Sequence, residues 1–173
     1  NTGAVASVVD PDGNIFRMPL AVDMLPNNTL SDTVTTQQQL AVATIPGGLF
    51  GANSIIEVCA LGIATGAGSK TFGFKAGAAS GTMATATAFG GTGGITNHGN
   101  VGVKALLWGN GVLGAQRATP NGPINWASAN TASIVTLGID TSLDWNIYAY
   151  VTFAASGAGD TFMIRPFWAE WKR

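Results

Sequence analysis

Trp145-Asn146-Ile147-Tyr148-Ala149-Tyr150-Val151-Thr152-Phe153 puts an apolar residue at every second position from Trp145 to Phe153. That period describes a strand with one face in a core. A turn follows at Ala155 to Gly159, built of small residues, and the chain resumes with Phe162, Ile164, Pro166 and Trp168 in one phase. The opposite phase carries Met163, Arg165, Phe167, Ala169 and Trp171, so both faces of this last strand are largely apolar. A strand in a two-layer antiparallel sheet has only one core side, and the second apolar face therefore calls for a partner. Met163, Phe167 and Trp171 are the residues expected to meet it, as an oligomer interface.

Composition points the same way. Only 10% of the 173 residues are charged, against about 25% in an ordinary soluble domain, while 46% are hydrophobic. The surface must be built from Gly, Ala, Ser, Thr, Asn and Gln, and a net charge of -1 gives little repulsion between copies. Self-association or incorporation into an assembly is the expected state. The eight Lys and Arg are scattered, with only Lys172 and Arg173 adjacent, so no basic stripe exists to displace counterions and nucleic acid is not an expected partner. Cys59 is the single cysteine, which rules out an intrachain disulfide. No signal-peptide pattern opens the chain and no apolar run is long enough for a bilayer helix, so neither export nor a membrane is expected. The first residue is Asn1, read as a processed, trimmed or incomplete start.

Residues 1 to 35 differ from the rest. Pro11, Pro19 and Pro26 interrupt short apolar patches, and the segment reads as an extended N-terminal arm for attachment or strand exchange; a local hairpin fits equally. Residues 36 to 173 read as one β domain. Strands are expected at Gln37 to Ile45, Ser54 to Ala64, Thr71 to Lys75, Gly99 to Trp108, Val112 to Ala118 and Thr131 to Asp140, before the closing pair. Ala76 to Asn97, rich in Gly, Ala and Thr, reads as a loop with one strand near Thr85 to Phe89. Asn110-Gly111 between two strand-like runs is a strong hairpin signal. Roughly eight strands without helical periodicity predict an all-β antiparallel sandwich, jelly-roll-like, with an immunoglobulin-like arrangement as the alternative.

The order of motifs adds a resemblance. Thr-Gln-Gln-Gln-Leu-Ala-Val-Ala-Thr-Ile-Pro-Gly-Gly-Leu (36 to 49), the Lys70 to Lys75 segment, the Val101 to Gly114 pair and Ile139-Asp140-Thr141-Ser142-Leu143-Asp144 resemble the jelly-roll structural proteins of tailed bacteriophages. The resemblance covers most of the chain after residue 35 and rests on turn and strand residues. It implies a non-enzymatic virion protein on the outer surface of the particle, made in the host cytoplasm. Capsid decoration proteins, head fibres and tail spikes all fall within it. The implied partners are copies of itself, as a trimer, and other virion proteins such as the major capsid or a tail protein. Phe167-Trp168 with Trp171 departs from the family in its aromatic weight.

Catalytic patterns are weak. His98 is the only histidine, in a turn entering a strand, and Cys59 sits mid-strand as an inert buried thiol, so no nucleophile and base are paired by the sequence. Asp10, Asp12 and Asn14 imitate a calcium loop, but its glycine comes too early and Ala21 stands where the bidentate acid belongs. Gly66-Ala67-Gly68-Ser69-Lys70-Thr71 lacks phosphate-loop spacing and reads as a hairpin turn. No cofactor or metal is expected. Aromatic residues leave one other reading, a receptor- or glycan-binding module of a tail fibre or spike, with Trp108 and Trp126 beside turns as its sugar contacts, host-surface glycan being the ligand. Tyr148, Tyr150 and Trp171 are further candidates for the same stacking role, and Trp145 and Trp168 fall in phase with a core or subunit interface.

Overall fold

The computed structural model describes residues 18–23, 29–51, 54–110, 114–118 and 134–172. Along them run β1 (Met18–Asp23), β2 (Thr29–Ser31), β3 (Gln38–Ile45), β4 (Ile55–Thr65), β5 (Lys70–Ala78), β6 (Thr87–Gly91), β7 (His98–Trp108), β8 (Arg117–Ala118), β9 (Val135–Thr136), β10 (Trp145–Phe153) and β11 (Thr161–Trp171). A 3-10 turn at Met83–Thr85 precedes β6. The fold is an all-β, jelly-roll-like sandwich of two antiparallel sheets. The larger has the order β1-β11-β4-β7-β8-β9, with β2 also on β11; the smaller has the order β3-β10-β5-β6.

Alternation decides which side chains meet between the sheets. From β10 come Trp145, Ile147, Ala149, Val151 and Phe153, from β5 Phe72, Phe74 and Ala76, and from β7 Val101, Val103, Ala105 and Leu107. These are the positions that the two-residue period marks. Aromatic rings fill the middle: Phe72 lies 4.7 Å from Phe162, Phe74 lies 6.0 Å from Phe167, and Phe50 meets Trp145 edge-on at 5.8 Å. Each fully buried ring contributes about 1.5–3 kcal/mol.

The two closing strands are not neighbours. β10 belongs to the smaller sheet and β11 to the larger, so the turn between them carries the chain across the core. The same holds for Gly66 to Ser69: the expected hairpin is instead an arch from β4 in one sheet to β5 in the other. A period of two locates a strand's buried face without saying which strand it bonds, and the expected hairpins fail for that reason.

β11 also departs from strict alternation. Ile164 pairs with Gly62 and Phe167 with Ala60, leaving Arg165 and Pro166 opposite the single residue Leu61. This is a β-bulge, and Pro166, which has no N–H to give a ladder, is suited to it. The extra residue inverts the phase beyond it. Phe162 and Ile164 face the core, and so do Phe167 and Ala169, while Trp168 turns to the outer side.

Within the described part of residues 1 to 35, the chain adds strands to the sheet. β1 pairs with Phe167 to Trp171, and β2 pairs with Thr161 to Met163, so both lie along the edge of β11 not taken by β4. Residues 1–17 lie outside the described residues, and the calcium-loop imitation at Asp10 to Asn14 lies there with them.

One polar contact sits inside this core. Lys70 and Asp160 are both fully buried, each two residues ahead of a core phenylalanine, Phe72 and Phe162. The Lys70 Nζ lies 3.2 Å from Asp160 Oδ1 and donates to the carbonyls of Gly66 at 3.2 Å and Gly68 at 2.7 Å. Asp160 Oδ1 also accepts from the Gly68 N–H at 3.0 Å. The glycines are required: a Cβ at either position would fall on the Asp160 carboxylate, and Gly66 has φ +83°. The pair ties the β4–β5 arch to the start of β11.

Candidate interaction surface

The face of the larger sheet turned away from the core is made by the alternate residues of β4, β7 and β11. Across the strands the register sets Met163 beside Ile63, Trp168 beside Cys59 and Lys104, and Glu170 beside Glu57 and Leu106. At the end of the face Ile55 stands beside Trp108. Leu61, opposite the bulge, is 46% exposed, and its β7 neighbour is Gly102, which offers no side chain to cover it.

A chain of charges crosses this apolar ground. Glu57 pairs with Lys104 on β7 and, at 3.2 Å, with Lys172, which in turn meets Glu170 at 2.8 Å. Partial burial alone would raise the Glu57 carboxyl, but the hydrogen bonds and charges of Lys104 and Lys172 outweigh it and hold the group below its ordinary value. Cys59 lies beside Glu57, its Sγ 3.8 Å from Oε1. Burial first, and the Glu57 carboxylate second, push the thiol up to about 11, so at neutral pH it is the protonated, unreactive form.

The three residues expected at an oligomer interface are separated by the bulge. Met163 lies partly exposed on the outer face. Phe167 does not: it is fully buried, stacked on Phe74, and its assignment to the interface is corrected because Arg165-Pro166 shifts the phase. Trp171 is half-buried and packs against the edge of the core, paired with Ile56 and Met18. Trp168, assigned by phase to a core or subunit interface, is on the outer face. Lys104 was legible as an off-phase position of its strand and Arg165 as sharing the phase of Met163 ahead of the bulge, whereas both faces of β4 are apolar and alternation does not say which one holds Leu61 outward.

Of the two tryptophans expected to contact sugar, Trp108 is half-buried at the end of β7, paired with Ile55 and Arg117, and Trp126 lies outside the described residues. Tyr148 and Tyr150 are on the outer face of the smaller sheet but are buried there. Asn146 Nδ2 donates to the Tyr148 hydroxyl at 3.0 Å, and Lys75 Nζ lies 5.9 Å from the centre of the Tyr150 ring and donates to the Met83 carbonyl at 3.1 Å. Burial lowers the Lys75 amine from its ordinary value. These tyrosines have little ring surface to give a sugar.

His98 is exposed at the start of β7, opposite Ala64, far in register from Cys59. Among the described residues no three His, Cys, Asp or Glu are grouped to hold a metal ion, and no helix is long and apolar enough to cross a membrane. Compared with known proteins, the chain matches no family, no curated protein and no solved structure.

Proposed function

We propose that this protein is a structural, non-enzymatic subunit of a bacteriophage virion, a homo-oligomer that decorates or projects from the particle surface. The supporting observation is the outer face of the larger sheet, where Ile55, Leu61, Ile63, Met163 and Trp168 surround a charge chain whose members Glu57, Lys104, Lys172 and Glu170 pair with one another, leaving Arg165 over. Such a face can be covered by protein at little electrostatic cost, and a chain with 10% charged residues has little surface charge elsewhere to keep copies apart. The virion setting is supported by the strand and turn motifs of residues 36 to 49, 101 to 114 and 139 to 144 that resemble phage jelly-roll proteins. Its partners there are its own copies and a capsid or tail protein.

Light scattering over a dilution series gives the test. A trimer that persists on dilution is the expected result. A monomer at every concentration would sink the assembly reading and favour a glycan-binding module using Trp108.

A further inference from the structure

Two exposed patches on this chain are opposite in charge and both carry bare leucines. The first is a loop tip. The loop after β3 and the loop before β10 are held together by the Gly47 N–H donating to Asp144 Oδ1 at 2.8 Å and the Gly48 N–H donating to the Thr141 carbonyl at 2.8 Å. A Cβ at Gly47 would collide with the backbone of Ser142 and Leu143, so the two loops are in direct contact. On this tip Leu143 is 64% and Leu49 42% exposed. Asp140 and Asp144 flank Leu143, and neither forms an ion pair among the described residues; Asp140 Oδ1 accepts only from the N–H and hydroxyl of Ser142. The tip is apolar and carries two uncompensated negative charges.

The second patch lies partway along the outer face of the larger sheet. Leu61 sits between Gly102 on β7 and the Arg165-Pro166 bulge on β11. Arg165 is exposed there without an ion pair among the described residues, and Lys104, on the same face of β7 as Gly102, presents an ammonium whose side chain is 56% exposed. Lys104, Arg165 and Lys172 outnumber Glu57 and Glu170, so this patch has positive charge in excess.

We infer that the loop tip of one copy, Leu49 and Leu143 with Asp140 and Asp144, docks on the Leu61, Lys104 and Arg165 patch of a second copy. The complementarity is specific to these two sites: tip against tip would oppose four carboxylates, and patch against patch would oppose like cations. The contact joins different surfaces of the two copies, which makes it heterologous, and it leaves each copy with one free tip and one free patch until a ring closes. The inference rests on the assembly reading and supplies its contact.

Charge reversal tests it. Asp140→Lys with Asp144→Lys, and separately Lys104→Glu with Arg165→Glu, should each weaken self-association by about tenfold or more. Mixing the two variants should restore association between unlike copies, as a mixed dimer or an even-numbered ring, because only those contacts then set opposite charges against each other. If either pair fails to fold by circular dichroism, Leu143→Ser and Leu61→Ser carry the same test without a charge change, and each should weaken association. A wild-type oligomer that all these variants leave intact overturns the contact while sparing the assembly reading. A wild-type monomer overturns both.

Discussion

Phe167 is the residue at which one extra position in the chain changes a role. Strict alternation puts it on the outside with Met163, and the bulge at Arg165-Pro166 puts it against Phe74. Its replacement by alanine therefore removes core volume and leaves a cavity. Phe167→Ala should destabilise the fold by about 3–5 kcal/mol, whereas Met163→Ala, on the partly exposed outer face, should cost under about 1 kcal/mol. Denaturant unfolding of the two variants measures the difference; equal small losses would return Phe167 to the surface. Trp168 shows the converse, a large aromatic that in-phase reading sends inward and the bulge sends outward.

At the scale of elements, the Lys70–Asp160 pair and its glycines make the β4–β5 arch dependent on β11. A buried pair is not by itself a large source of stability, but breaking it strands a charge in the core. Asp160→Ala should cost about 3–5 kcal/mol, and the double variant Lys70→Met, Asp160→Leu should recover much of that loss, as read from urea midpoints. A double variant no better than the single would mean that the pair holds the arch by more than its charge balance.

Much of this level was legible in advance. The alternation of β7 and β10 marks their inward residues, because a two-residue period depends only on the local backbone, whereas β4 is apolar on both faces and alternation alone does not choose between them. Pairing was not legible: β10 and β11 are consecutive yet lie in different sheets, and Lys70 meets Asp160 from far along the chain with nothing in either neighbourhood to announce the other. Thr131 to Asp140, expected as a strand, contributes only Val135–Thr136 among the described residues. There the buried Gln116 side chain does the joining instead, donating to the Ile139 carbonyl and accepting from its N–H. The outer surface was half legible, its apolar character visible in the off-phase residues and its charge chain dependent on the register.

For the molecule as a whole, the N-terminal strands matter most. An attachment arm over residues 1 to 35 would be removable with the domain left folded, but β1 and β2 lie within that span and pair along β11. Removing residues 1 to 31 should lower the thermal midpoint and leave the β11 edge unpaired and prone to aggregate, a liability common to bare sheet edges. Scanning calorimetry with a turbidity readout decides; an unchanged midpoint in a clear solution would restore the picture of a dispensable arm.

The same pairing imposes an order on synthesis. β1 leaves the ribosome early, yet its hydrogen-bonding partner in the sheet is β11, which is translated on the order of ten seconds later at common elongation rates. During that interval β4 has the β7 edge to pair with but lacks its other neighbour, and the larger sheet stays open down its middle. A newborn chain in a crowded cell thus carries an unattached strand and a vacant slot at the same time as its siblings do. Domain exchange between nascent copies is then a kinetic competitor of correct closure, and the yield of folded protein should fall as the rate of expression rises.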